Sequence, residues 1–453
     1  MLLFLLIFAI RGNDDEALAK LFKRTKVQHP IATINKEDIK RANENVEKHQ
    51  WAKTAKRRIL SSADSIITLF TESFLDTMIP KTTPAALTFC PNCAKKGNDY
   101  HPNGQWSWTV NDPHHITCSK CKMVFPNTEY PEELQFTSKW DPEQTITYIN
   151  NGPKQCMNYL RCYSSVNGVI RNYQLDYTIK RLTLLSQAYI LSNDLKYARA
   201  TKSFLIKLAE RFRKYMVYCG YSYNQYADCD PRYAVQHLPN LPIIEGEQCK
   251  MIAAGFDTEQ DTFFSDYWSA GRFGSSGSDG EYVEIIALAY DLVADALDEN
   301  GLPLFSEDEK KLIEEDLLIE SCLLGYFDKK INNKSTLNMK GCSLVGLVVG
   351  NSELVKFGLD GYNKVFDEFF LKDGTTSQSV TYGLKTLLGF DGFHLAFRNY
   401  TSSDTTEYLN YNINRDTEYE SLWQSYMWCM YYNTTYPILG DQSQNQVFPL
   451  DYY

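Results

Sequence analysis

Apolar residues recur at helical spacing through most of the chain, and clusters of proline, glycine and asparagine divide that pattern into segments. Residues 37–72 carry charged and apolar positions in helical alternation with no proline, and Pro80 and Pro84 close the segment. The pattern lapses over 86–176 and returns as helices expected over 178–191 and from 195 to about 216, joined by the turn Ser192-Asn193-Asp194. Three prolines mark 219–247 as a long loop. Further helices are expected near 280–297, 307–325, 340–349, 352–371, 380–398 and 416–432. The turn Gly350-Asn351-Ser352 precedes a second long amphipathic helix much as Ser192-Asn193-Asp194 does. Stacked helix pairs form either an open solenoid or a closed ring. The repeat lengths here are irregular, which favours closure. The expected fold is mainly α, an incomplete (α/α) toroid of helical hairpins with a small zinc-ribbon-like insertion. Its parts would be a signal peptide at 1–11, N-terminal toroid helices at 12–85, the insertion at 86–130 and the main toroid at 131–453.

The insertion is defined by Cys90-Pro91-Asn92-Cys93 and Cys118-Ser119-Lys120-Cys121, two CxxC knuckles with 24 residues (94–117) between them. Two such knuckles build a tetrahedral four-cysteine zinc site with no open coordination position, so the metal would be structural. Two disulfides are the alternative on a secretory route. Trp106, Trp108 and Phe125 are placed to pack around so small a module. Eight further cysteines form an even remainder, with Cys156/Cys162 and Cys219/Cys229 the pairs nearest in sequence.

The apolar run from Leu2 to Ile10 is too short to span a bilayer and matches the core of a signal peptide. No other segment is long and apolar enough to be an integral membrane span. Sequons at Asn333, Asn399 and Asn433 agree with export, giving a secreted or extracellular glycoprotein. A net charge of −10 argues against a nucleic-acid partner, which needs a basic face. The 31 tyrosines and 7 tryptophans supply flat faces with polar tips, suited to sugar rings as well as to helix packing.

Four segments carry a resemblance. The first is the knuckle pair running to Phe125-Pro126. The second is Gly271-Arg272-Phe273-Gly274 leading to Ala289-Tyr290-Asp291-Leu292. The third is Asn338 followed by Gly346 to Leu354, and the fourth is Asp373-Gly374 followed by Gln378-Ser379 and Tyr382. In this order they resemble the heparinase II/III and alginate-lyase superfamily of polysaccharide lyases, dermatan-sulfate-epimerase-like relatives included. The resemblance covers about residues 35–445. It implies a carbon–oxygen lyase that cleaves an acidic, uronic-acid-containing polysaccharide (alginate or a glycosaminoglycan) by β-elimination, with structural zinc and no organic cofactor. Such a site needs an amide or cation on the uronate carboxylate, a base for the C5 proton and an acid for the O4 leaving group.

Carried over by position, Asn338 is the carboxylate-binding amide and Tyr382 the catalytic tyrosine. Arg272 and Gln378 are the substrate-binding residues. The chain departs from the family in three places. Met339 stands where many relatives have histidine, Gln378-Ser379 stands for Glu-Gly-Ser, and the β-sandwich that usually follows the toroid has no counterpart before Tyr453. His237 and His394 are the candidates to replace the missing base. Each of these residues also has a structural reading: Asn338 as a helix cap, Tyr382 and His394 as core side chains, Arg272 as a surface ion-pair partner, His237 as a loop residue. A uronyl C5-epimerase and a non-catalytic glycan-binding toroid are the alternatives. A glycosidase needs two facing carboxylates, and the sequence singles out no such pair.

Overall fold

The structure is a computed structural model describing residues 18–85, 88–96, 104–150, 154–156, 160–219, 225–241, 250–253, 267, 270–273, 278–403, 407–431, 435–437 and 440. It is mainly helical, with small antiparallel sheets. The helices are α1 (Lys36–Lys48), α2 (Gln50–Ile67), α3 (Glu72–Met78), α4 (Pro91–Lys95), α5 (Val166–Ser192), α6 (Leu195–Phe212), α7 (Pro231–His237) and α8 (Ser278–Val293). They continue as α9 (Glu307–Ile313), α10 (Glu320–Phe327), α11 (Ser335–Val349), α12 (Ser352–Glu368), α13 (Val380–Leu388), α14 (Phe393–Ala396), α15 (Ile413–Asp416) and α16 (Tyr419–Trp428).

Both predicted hairpins form, and their turns are built as the residues dictate. Asn193 ends α5 in the left-handed region at φ 58°, and the Asp194 carboxylate caps α6 by accepting the Lys196 N–H. Gly350 ends α11 at φ 66°, and the Asn351 side chain caps α12 through the Leu354 N–H. Helix α8 packs against both α5 and α11, and α11 also packs against α10, α12 and α13. One apolar core runs continuously from Leu21 through these helices to Tyr436. The N-terminal segment is stitched on by side chains. The Asp291 carboxylate accepts the Ile31 and Ala32 N–H groups, and the Asn351 amide donates to the carbonyls of Lys20, Leu21 and Lys23.

The helix expected over 37–72 is broken, because His49 is extended at φ −123°, ψ 133° and separates α1 from α2. The segment expected over 307–325 carries a π-helical stretch, Glu314–Ile319, between α9 and α10. The helix expected over 380–398 stops at Leu388 and restarts after Gly392, whose φ is 75°. The described part of the expected loop 219–247 holds regular structure. Strands Tyr218–Cys219, Gln225–Asp228 and Lys250–Ala253 form a three-stranded sheet, and α7 lies between the last two.

The insertion holds a second three-stranded sheet, Trp106–Thr109, Asp112–Cys118 and Val124–Phe125. Around it lies a separate apolar cluster that reaches Val166, Val169 and Ile170 of α5. As expected, the aromatics pack here. The Trp106 and Phe125 rings meet edge to face at 5.7 Å, and Trp108 stacks on Tyr173.

The remaining cysteines divide. Cys229 is disulfide-bonded, whereas Cys322, Cys342 and Cys429 are free. In the β-ribbon Lys154–Cys156/Leu160–Cys162, Cys156 pairs across with Leu160 and Cys162 with Lys154, so the two cysteines are not opposite each other. The run Leu2–Ile10 lies outside the described residues, and no helix among them is long and apolar enough to cross a membrane. The sequons differ in access. Asn333 is 6% exposed at the entry to α11, whereas Asn399 is exposed on a left-handed turn at φ 59°; Asn433 lies outside the described residues. Expression through a glycosylating secretory host should therefore give glycopeptides occupied at Asn399 and bare at Asn333. Substantial occupancy of Asn333 by mass spectrometry would contradict its burial.

Candidate functional site

The four knuckle cysteines converge. Their sulfurs all lie within 4.8 Å of one another, with Cys90–Cys121 and Cys93–Cys118 each 3.7 Å apart. Disulfide sulfurs sit about 2 Å apart, so the two-disulfide alternative is not what the chain adopts, and all four thiols are free. A metal–sulfur bond of about 2.3 Å sets the edge of a tetrahedral sulfur cage at about 3.8 Å, which matches the observed pairs. The local backbone makes the cage. Cys90 enters α4 with Pro91 in its first turn, and Lys122 turns left-handed at φ 62° so that Cys118 and Cys121 face the same point. Burial and the neighbouring thiols push Cys93 up to about 11 and raise Cys90 further. Cys121 goes the other way, down to about 7, where hydrogen bonds from Met123 and Asn92 outweigh its burial, so ionising Cys90 and Cys93 beside it calls for a cation at the centre.

A second site forms where α8 crosses α11. Gly280 allows the approach: a Cβ there would fall 2.6 Å from the Leu337 carbonyl carbon and oxygen. Gly341 faces the Gly280 carbonyl in the same way. The crossing brings Asn338, in the first turns of α11, into a small pocket with Tyr267, Asp279, Asp328, Asn332 and Lys334. Its free volume is about 10 Å³, roughly the space one water needs. It has room for one water-sized polar group and for no sugar ring.

Asp279, at the start of α8, accepts the backbone N–H groups of Arg272 at 2.8 Å and Phe273 at 3.3 Å. Burial nevertheless pushes its carboxyl up to about 7. Burial also raises the Tyr267 phenol, which donates to the Val235 carbonyl at 2.6 Å. Asn338 is not a helix cap, since α11 begins three residues earlier with Lys334 as its N-cap. Met339, the residue after Asn338, is buried and presses on Gly361 of α12. Its direction explains why it adds nothing to the pocket.

The other candidate residues do not gather there. Arg272 is 1% exposed and its guanidinium is used inside the protein. It donates to Glu320 Oε1 at 2.8 Å and to the carbonyls of Tyr215 and Phe212 at 3.0 and 2.9 Å. The expected contact between its side chain and substrate is thus replaced by a structural pair, and only its backbone N–H reaches the pocket residue Asp279. Thr336 and Lys340 lie two residues either side of Asn338, about 200° around the helix and so on its far side. That far side carries the segment following Tyr382. Gly389 is pressed against Thr336, and Lys340 donates to the Asp391 carbonyl at 3.0 Å. Tyr382 is half-buried on α13 and does not line the Asn338 pocket.

Gln378 precedes α13, and its buried Oε1 has no hydrogen-bond partner among the described residues. The same holds for Nδ1 of His394, whose pKa is lowered by burial. His237 ends α7, 4.4 Å from the Tyr233 ring centroid. It follows closely on Val235, whose carbonyl accepts from Tyr267, so α7 adjoins the pocket.

Sequence reasoning missed Asp279, Tyr267, Asp328 and Lys334. The one local signal was the Ser278-Asp279-Gly280 helix start. Its meaning depends on a helix crossing between residues 58 positions apart (338 − 280), which no local pattern reveals. The sequence matches no protein-family model and no curated protein.

Proposed function

We propose that this chain is a polysaccharide lyase whose helical hairpins close into an incomplete (α/α) toroid, steadied by one structural zinc ion at Cys90, Cys93, Cys118 and Cys121. The Asn338 pocket is its carboxylate-binding point. The observation that carries the reading is the convergence of the Asn332 and Asn338 amides, the Lys334 cation, the Tyr267 phenol and the Asp279 and Asp328 carboxyls in one small pocket. β-Elimination of a uronate needs an amide or cation on the carboxylate, together with a base and an acid. The amide and Lys334 offset the charge that spreads onto the carboxylate as the C5 proton leaves. The pocket's size leaves the sugar ring outside and room for one carboxylate oxygen.

A second reading, a non-catalytic toroid that holds acidic glycans, is favoured by one observation: Tyr382 does not line the pocket that Asn338 lines. Turnover of a uronate polymer by variants separates the two. Asn338→Ala is expected to lower kcat by roughly 10²–10³, the usual cost of losing one group that stabilises the developing charge. If Tyr382 handles a proton, Tyr382→Phe should lower the rate by about 10²–10⁴, because the ring and its packing stay and only the hydroxyl goes. Unchanged turnover in Asn338→Ala would remove the pocket from the chemistry. Full activity in Tyr382→Phe alone would remove only the tyrosine.

A further inference from the structure

We propose that the exposed face of α2 is a docking surface for an acidic polysaccharide chain, apart from the Asn338 pocket. The choice of a glycan as the polyanion rests on the lyase reading above; the charge of the surface does not.

Helix α2 carries Lys53, Lys56, Arg57 and Arg58 against one carboxylate, Asp64, in a chain of net charge −10. That carboxylate is already used, by Lys196 at 2.8 Å and the Tyr197 hydroxyl at 2.9 Å. The neighbouring helix α1 differs, since Lys40 pairs with Glu37, Arg41 with Asp38 and Lys48 with Glu44. Among the described residues no acid pairs with any of the four cations of α2. Like charges three and four residues apart on a helix repel and cost stability. A helix that keeps them unpaired suits a ligand that brings the opposite charge.

The helical period arranges this face. Ala52, Ala63 and Ile66 are buried. Away from them, Lys53 and Arg57, four residues apart, line one flank, and Trp51 and Arg58, seven apart, line the other. Gln50, Thr54, Ser61 and Ser65 run between the flanks. Cations on both edges meet carboxylate or sulfate groups of a chain, and the polar lane between them meets sugar hydroxyls. Trp51 is 65% exposed. His49 stacks on it, with ring centroids 6.0 Å and planes 17° apart, so one indole face is covered and the other is open to a sugar ring.

The test is calorimetric binding of alginate and of heparan sulfate, at low and at physiological ionic strength. The proteins are wild type, the triple variant Lys53→Gln/Arg57→Gln/Arg58→Gln, and Trp51→Ala. Single-stranded DNA and phosphatidylserine/phosphatidylcholine vesicles are the rival polyanions, and dextran is the uncharged control. Wild type is expected to bind the acidic polysaccharides, more weakly as salt rises. Three surface charge contacts of the usual strength compound to a loss of roughly 3–150-fold in affinity for the triple variant. Its salt dependence should flatten and its melting temperature should not fall. Trp51→Ala should weaken binding and keep the salt dependence. Tighter binding of either polysaccharide supports the assignment and tells whether carboxylate or sulfate is preferred. No binding by wild type, equal affinity of wild type and triple variant, or tighter binding of DNA or vesicles would overturn it. The lyase reading fails separately: lost affinity in the triple variant, with no unsaturated product from wild type, leaves this surface in place and removes the elimination.

Discussion

Cys93→Ser is expected to strip the protein of one bound zinc per chain and to unfold the insertion around it. The reason is the ratio of metal to core. The cluster at Cys90, Cys93, Cys118, Cys121, Ile116 and Phe125 is small, and the sheet beside it has strands of four, seven and two residues. Such a sheet is marginal alone. A structural zinc supplies an apparent binding free energy of roughly 10–16 kcal/mol in small zinc modules, so the site dominates local stability. The damage should reach the first turns of α5, where Val166, Val169 and Ile170 pack on the cluster, and stop before α6. Metal analysis should fall from one zinc to none. Hydrogen exchange should quicken over 106–125 and the start of α5 while α8 and α11 keep their protection. Wild-type protein free of metal, or a Cys93→Ser protein still holding one zinc, would contradict the assignment.

Arg272→Met is expected to destabilise the whole helical body by roughly 3–5 kcal/mol, the usual cost of leaving one partner of a buried ion pair uncompensated. Glu320 is fully buried and is held by Arg272 at 2.8 Å and Arg232 at 2.6 Å. Losing Arg272 removes the contact to Glu320 Oε1 and leaves Arg232 and Arg213 on Oε2, takes the side-chain donor from the Tyr215 carbonyl, and removes the guanidinium stacked 4.3 Å above the Phe212 ring. Arg272→Lys should rescue little, because a point charge cannot replace a planar fork that bonds in several directions. Urea unfolding is the measurement, with the midpoint expected to fall sharply. A variant of unchanged stability but weakened substrate binding would restore Arg272 to the role its sequence context suggested.

These two residues mark how much was legible in the chain. The knuckles were readable because four cysteines at fixed spacing have few chemical uses, and their turns follow from local residues such as Pro91. The hairpin turns at Asn193-Asp194 and Gly350-Asn351 were readable for the same reason, since left-handed and capping positions favour these residue types. Arg272 was read as a surface or substrate residue. Its burial depends on Glu320, 48 positions away on a helix whose approach no local rule predicts. The break at His49 and the π stretch at Glu314–Ile319 also lack a sequence signal of their own. Asn338 was found for its motif, yet its neighbours Asp279 and Tyr267 come together only through the α8–α11 crossing at Gly280.

The central claim, elimination on a uronate polymer, is tested most directly by ultraviolet absorbance. Purified wild-type protein is incubated with alginate, polymannuronate, heparan sulfate, dermatan sulfate and chondroitin sulfate. Elimination leaves a C4=C5 double bond conjugated to the carboxylate, so at least one polymer should give absorbance that grows with time and with enzyme, and that is lost in Asn338→Ala. Binding of these polymers without any rise in absorbance would contradict the account.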